Sequence, residues 1–173
     1  MLQPPGPLPH RHLAGHETPW KASKQSEDAL QRWHFAGGCM PSYVIMPDIA
    51  LRLAAEAARP AALVRLLAPT LLRSHVLSEL YASFRRGEIT RREADGRLEG
   101  IRRLRIRLLG DRVLQKMAWT IADQLGWADT LQAEYLALAR IQADALVTTD
   151  ALIVKAARGI VALARYEDIL IGR

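Results

Sequence analysis

Short apolar runs alternate with longer segments of helical periodicity from residue 40 to the end of the chain. The runs "SYVIM", "LLAP", "ALVTT" and "GIVALA" each have the length and composition of a buried strand. "RIRLL" alternates arginine with apolar residues, which is typical of an edge strand. Strands that alternate with helices indicate βαβ units and a parallel sheet with both faces covered. The pattern therefore predicts an α/β fold, a three-layer α/β/α sandwich around a short parallel sheet.

Polar residues mark where the helices between these strands are expected to begin. The predicted helix caps are Asp48, Thr70, Asp111, Thr130 and Asp150. The helix after Thr70 is expected over residues 71–86, and the helix after Asp111 is expected to stop at Gly126. Pro60 suits the first turn of another short helix, predicted over Pro60–Leu66.

Residues 1–39 differ in composition from the rest of the chain. They begin with a proline-rich stretch and continue as a polar mixture, with no helical or strand period before Ala29–His34. We expect most of this extension to be disordered. An alternative is that the reading frame is over-extended and translation begins at Met40, because Gly37 and Gly38 can be encoded by a purine-rich ribosome-binding site. The predicted organisation is thus an extension over 1–39 and one domain over 40–173.

The composition narrows the class of protein. The chain has 173 residues, of which 50% are hydrophobic, so it can bury a core of ordinary size. No apolar run reaches the length of a membrane span, and the single cysteine, Cys39, excludes an internal disulfide. We therefore expect a soluble, cytoplasmic protein without membrane contacts. The net charge of +6 lies largely in arginine pairs, which suit either RNA phosphates or a solvated helix face.

Two carboxylates, Asp48 and Asp150, lie at the carboxyl ends of predicted strands. In parallel sheets, ligands bind beyond the carboxyl ends of the strands. Oxygen ligands at such a place suit Mg²⁺ or Mn²⁺, and an ion held there can activate water for phosphodiester hydrolysis. An aspartate at a helix start is also an ordinary cap without a catalytic role. Both interpretations stay open from the residues alone.

The segments "YVIMPDIALRLA", "LLAPTLLRSHVLSELYASFRRGEIT", "LGWADTLQAEYLALARIQADALVTTD" and "GIVALARYEDIL" together resemble the PIN domain family. The likeness is to the VapC-like ribonuclease toxins of bacterial toxin–antitoxin pairs, and it covers essentially residues 40–173. It implies an α/β sandwich, Mg²⁺-dependent cleavage of RNA and inhibition by a small antitoxin. A homodimer is a further implication of the resemblance.

The acidic positions of that family are mostly replaced in this chain. Met46 stands where the first acid should end the first strand, His75 occupies the second position, and Gln132 occupies the third. Only the fourth acid is kept, as Asp150. One carboxylate cannot by itself hold a catalytic Mg²⁺. We therefore expect the standard activity to be weakened or lost.

Each replaced position nevertheless has a carboxylate nearby in the sequence. Asp48 lies two residues after the first position, Glu79 about one helical turn after the second, and Asp129 three residues before the third. A displaced catalytic site would comprise Asp48, Glu79, Asp129 and Asp150, with Asp150 and Asp48 as metal ligands and Thr148 or Thr149 assisting.

The displacement of the carboxylates from the family positions argues against such a catalytic site, because one helical turn is roughly 5 Å. Three hypotheses therefore remain. The chain is an active endoribonuclease, a non-catalytic PIN-fold module that binds an antitoxin or RNA, or a relic reading frame.

Overall fold

Five parallel strands form the centre of the computed structural model, which describes residues 40–170. The strands lie in the order β3-β2-β1-β4-β5, and every neighbouring pair is parallel. Their bounds are Ser42–Ile45 (β1), Arg65–Pro69 (β2), Ile106–Leu109 (β3), Ala145–Val147 (β4) and Leu163–Ala164 (β5). The predicted edge position of "RIRLL" is confirmed, because β3 pairs only with β2 among the described residues.

Helices cover the two faces of this sheet. Their bounds are Pro47–Ala55 (α1), Leu72–Arg85 (α2), Arg91–Arg103 (α3), Arg112–Leu125 (α4), Ala133–Gln142 (α5) and Ala151–Ala157 (α6), followed by a 3₁₀ turn at Tyr166–Ile169. Helices α1, α2 and α3 pack against one another, while α4 packs on α5 and α5 lies on β1, β2 and β4. The predicted three-layer α/β/α sandwich is confirmed.

The core is centred on the two middle strands and on α5. Val44, Ile45, Leu146 and Val147 are all fully buried, as a strand covered on both faces requires. Residues 135–139 of α5 are buried as well, so this helix presents apolar side chains to the sheet and also to α4. This burial explains why these segments read as continuous apolar runs rather than as alternating patterns.

Helix α3 approaches α1 closely at a glycine. A Cβ atom placed on Gly100 would lie 3.1 Å from the Cβ atom of Ala54. The two small residues therefore permit the contact between these helices. Gly126 has a different role, because it ends α4 in the left-handed conformation with φ of 65° and thereby confirms the predicted stop.

Two of the predicted caps are confirmed and three are wrong. Asp111 and Asp150 accept backbone N–H groups at the starts of α4 and α6. Helix α1 instead starts after Met46, which places Asp48 inside the first turn. Helices α2 and α5 begin at Leu72 and Ala133, and no side-chain hydrogen bond caps either of them.

The short helix predicted over Pro60–Leu66 is wrong. Pro60 forms an isolated antiparallel bridge with Leu170, and β2 already begins at Arg65, whose N–H donates to the carbonyl of Pro41. Pairing with the neighbouring strand therefore overrides the local helix signal of the proline.

No helix within residues 40–170 is long and apolar enough to cross a membrane. The predictions of a disordered or over-extended segment 1–39 and of a start at Met40 lie outside the described residues.

Candidate functional site

A cleft of about 560 Å³ lies beyond the carboxyl ends of β1 and β4. Its wall includes the three positions at which the resemblance predicts an acid, namely Met46, His75 and Gln132. It also includes all four predicted site residues: Asp48, Glu79, Asp129 and Asp150. Residues that are far apart in the sequence therefore meet in one place, where a parallel sheet commonly binds its ligands.

Asp48 is held in place by the loop after β4. Its Oδ2 atom accepts the Thr148 hydroxyl at 3.1 Å, the Thr149 backbone N–H at 2.5 Å and the Thr149 hydroxyl at 2.7 Å. The predicted assistance of the two threonines to a metal or phosphate is not what these contacts provide. Their hydroxyls are donated to a carboxylate of the protein itself, so one oxygen of Asp48 is already satisfied.

Asp150 combines its place in the cleft with the role of a helix cap. Its Oδ1 atom accepts the backbone N–H groups of Leu152 at 2.8 Å and Ile153 at 3.2 Å. The backbone N–H of Asp150 donates to the Thr148 hydroxyl at 3.1 Å, and that hydroxyl in turn donates to Asp48. Thr148 thus links the two carboxylates that were predicted as metal ligands.

Glu79 is presented to the cleft by α2, one turn beyond His75. Its pKa is raised above the ordinary value, first by loss of hydration in the cleft wall and then by the negative charges of Asp48 and Asp150. The surrounding carboxylates therefore repel one another. This repulsion would favour a cation in the cleft, whether it belonged to a metal or to a side chain of a partner.

Asp129 lies in the turn that precedes α5 rather than on the helix. Its Oδ1 atom accepts the backbone N–H of Leu131 at 2.9 Å, and α5 begins only at Ala133. Asp129 is therefore not one turn away from position 132 on the same helix, and it does not replace an acid there by a simple helical displacement. Asp129 still lines the cleft, and its charge acts to raise the pKa of His75.

His75 forms a pair with Tyr135, a residue for which the sequence predicted no role in the site. The Tyr135 hydroxyl lies 3.2 Å from His75 Nδ1, and the two rings stack with their centroids 5.9 Å apart. Tyr135 is fully buried, and burial lowers the pKa of His75 although Asp129 opposes the shift. Nothing in the sequence distinguishes this tyrosine from its apolar neighbours on α5, so only its contact with His75 reveals it.

The acids of the cleft are not grouped as the ligands of a divalent metal within the described residues. Among residues 40–170, no group of three or more histidine, cysteine, aspartate or glutamate side chains is placed to hold an ion. The Oδ2 atom of Asp48 and the Oδ1 atom of Asp150 already accept several hydrogen bonds each. One oxygen of each of these two carboxylates is therefore already engaged by the protein, which leaves fewer oxygens to complete the near-octahedral coordination of Mg²⁺.

The ionisable side chains in the wall of the cleft are mostly acidic. Its wall contains four carboxylates and one histidine, and no lysine or arginine among the described residues. Apolar side chains complete the wall, including Trp127 and the exposed Leu131. Such a surface attracts a cation and offers an apolar side chain something to pack on.

The similarity of this chain to known proteins concerns its fold. No family model and no curated protein matches the chain. The chain is similar to the crystal structure of PAE2754 from Pyrobaculum aerophilum, with a TM-score of 0.58 and 20% sequence identity. The match covers 76% of this chain and 94% of that one. At this identity the likeness shows a shared fold.

Proposed function

We propose that this chain is a PIN-fold relative of the VapC-like ribonucleases whose Mg²⁺-dependent RNA cleavage is lost or strongly weakened. In this proposal its acidic cleft serves to bind a protein partner. The supporting observation is the composition of one cleft. Met46, His75 and Gln132 stand at the positions of the expected acids, while the remaining carboxylates are not grouped for a metal.

The loss of hydrolysis follows from how such a reaction is catalysed. A metal ion must orient the attacking water and neutralise charge on the phosphodiester, and small displacements of its ligands cost rate steeply. Asp48 and Asp150 are engaged by threonine hydroxyls and backbone N–H groups, and Glu79 is repelled by both. Without an ion, this negative cleft would repel the phosphates of RNA.

The same charge favours a protein partner such as a small antitoxin. An arginine or lysine side chain entering the cleft would neutralise the mutual repulsion of Glu79, Asp48 and Asp150. Its aliphatic stem would pack against Trp127 and Leu131. A cationic side chain thus supplies charge and apolar contact together, and it needs no octahedral coordination.

Restoration of the acids tests the loss of catalysis. We expect the wild-type chain to show no saturable Mn²⁺ binding in calorimetry at about 1 mM metal and no RNA cleavage with Mg²⁺. The triple variant Met46→Asp, His75→Glu and Gln132→Asp should gain both properties. Cleavage by the wild-type chain that Asp150→Ala abolishes would contradict the proposal and would favour an active endoribonuclease.

A short peptide tests the binding site. We expect a peptide with one central arginine flanked by leucines to bind the chain, and the same peptide with citrulline to bind at least tenfold more weakly. Glu79→Gln should weaken binding of the arginine peptide, whereas Asp123→Asn, an exposed change on α4 outside the cleft, should leave it unchanged. Equal binding of both peptides would contradict the proposed cation site.

The active endoribonuclease remains the second candidate function, because all four predicted carboxylates line a single cleft. In that case the arginine-rich helices would guide the RNA by contact with its phosphates. The cleavage assay above, with Asp150→Ala as its control, distinguishes the two functions.

A further inference from the structure

A second cleft, the apolar groove, lies between α2, α3 and the edge strand β3, with a volume of about 500 Å³. Leu77, Leu98, Ile101 and Ile106 are among the residues of its wall. It is separate from the acidic cleft, with which it shares no lining residue. A volume of this size is ample for several large side chains.

Exposed apolar side chains extend the groove along α2. Leu77 is 56% exposed, Tyr81 59% and Phe84 39%, and all three project from the same side of the helix. Single exposed apolar residues are ordinary, whereas a contiguous group beside an apolar groove is typical of an interaction surface.

Arginines define the charge of the groove. Arg73 and Arg102 both belong to its wall. Arg102 has only an exposed contact with Glu99 at 3.5 Å, and Arg73 has no ion-pair partner among residues 40–170. An occupant that carries carboxylates next to large apolar side chains would match both the charge and the apolar wall. A second copy of this basic groove would not.

The chain itself contains a segment with that chemistry. "SEDALQRWHF", Ser26–Phe35, places Glu27 and Asp28 ahead of Leu30, Trp33 and the terminal phenylalanine. It also includes the one stretch of residues 1–39 in which apolar residues recur at helical spacing. We propose that Ser26–Phe35 occupies the apolar groove, with its acids beside the arginines and its apolar side chains against α2 and α3.

The connecting chain is long enough for this contact. Four residues separate Phe35 from Met40, and the five Cα-to-Cα steps between them span up to about 17 Å when extended. Tyr43 pairs with Leu66, which pairs with Ile106, so the groove begins about 10 Å from β1, two strand spacings away. The segment can therefore reach the groove of its own molecule without distortion of the sheet.

Disulfide formation between engineered cysteines tests the contact in the full chain. In a Cys39→Ser background, Trp33→Cys and Leu77→Cys should form an intramolecular disulfide at high dilution at least tenfold faster than the matched pair Trp33→Cys and Trp119→Cys. Trp119 is 67% exposed on α4, which packs on α5 in the opposite helix layer, and so controls for exposure. Equal rates would overturn the proposal.

Charge reversal makes the test specific to the proposed pairing. Arg73→Glu should slow formation of the disulfide, and the added change Glu27→Arg should restore the rate. An intermolecular disulfide in place of the intramolecular one would show that a second copy fills the groove, and it would also overturn the proposal.

Proteolysis of the chain without engineered cysteines gives an independent measurement. Trypsin should cut after Arg32 at least tenfold more slowly than after Lys24, because only Arg32 lies within the proposed contact. Leu77→Glu, a change at an exposed position, should remove that protection. Cleavage at equal rates after both residues would contradict the proposal.

Discussion

Thr149 donates two hydrogen bonds to the same oxygen of Asp48, from its backbone N–H at 2.5 Å and from its hydroxyl at 2.7 Å. The two residues are 101 positions apart in the sequence. The contact connects the first turn of α1 to the loop after β4, and Thr148 adds a third hydrogen bond at 3.1 Å. These hydrogen bonds therefore hold α1 and the loop after β4 together at the edge of the sheet where the acidic cleft lies.

Removal of this carboxylate should destabilise the fold. Asp48→Ala removes the acceptor of two hydroxyls and one backbone N–H, and because the Thr149 donors are exposed to water, we expect it to lower the free energy of unfolding by about 0.5–1.5 kcal/mol. Urea denaturation measures this loss. Asp123→Ala, at an exposed position of α4, is the matched control and should change stability by less than about 0.5 kcal/mol. Equal effects of the two substitutions would contradict a structural role for Asp48.

Glu79 should make stability depend on pH. Its pKa is raised in the folded protein from an ordinary value of 4.5, by loss of hydration and then by Asp48 and Asp150. The folded state therefore disfavours the ionised carboxylate, and stability is lost as the pH rises from 4.5 through the raised pKa. Glu79→Gln is expected to stabilise the protein at neutral pH and to have little effect near pH 4, measured by thermal unfolding.

A glutamate of the opposite kind serves as the control for that experiment. The pKa of Glu88 is lowered by its hydrogen bond from Arg86, so its contribution to stability is present above pH 4.5 and is lost as the pH falls through the lowered pKa. Glu88→Gln should therefore lower stability at neutral pH. The same sign for both substitutions would contradict the assignment for Glu79.

The pKa of His75 should respond to the cleft acid beside it. Burial lowers this pKa below 6.5, and the negative charge of Asp129 opposes the shift. Asp129→Asn is expected to lower the pKa further because it removes the charge that favours the imidazolium. NMR titration of the imidazole protons, assigned with His75→Gln, measures the effect, and Asp123→Asn should leave the pKa of His75 unchanged. A rise after Asp129→Asn would contradict the geometry of the cleft.

Two threonines before helices should differ in their contribution to stability. Thr90 forms a capping box with Glu93 at the start of α3, in which each side chain accepts the backbone N–H of the other residue. Thr90→Ala should therefore cost about 1 kcal/mol. Thr130 precedes α5 without a side-chain cap, so Thr130→Ala should cost much less in the same urea experiment. Comparable losses would mean that Thr130 does cap α5.

The sequence alone determined the five strands and the parallel type of the sheet. Apolar runs such as Ala145–Val147 are buried on both faces, and this burial leaves its mark on composition whatever surrounds the strand. Asp111 and Asp150 could also be predicted as caps from the sequence, because a cap needs only the N–H groups of the next helical turn. The apolar composition of a strand and the cap of a helix can both be recognised from residues that are close together in the sequence.

Only the tertiary structure decided the starts of α1, α2 and α5 and the content of the acidic cleft. Asp48 resembled a cap in sequence, yet its carboxylate is bound by Thr148 and Thr149, which reach it because β1 and β4 are adjacent in the sheet. The pairing of His75 with Tyr135 has the same cause, since α2 and α5 meet only in the folded chain. Contacts across 60 to 101 positions are set by the packing of strands and helices, which no local pattern records.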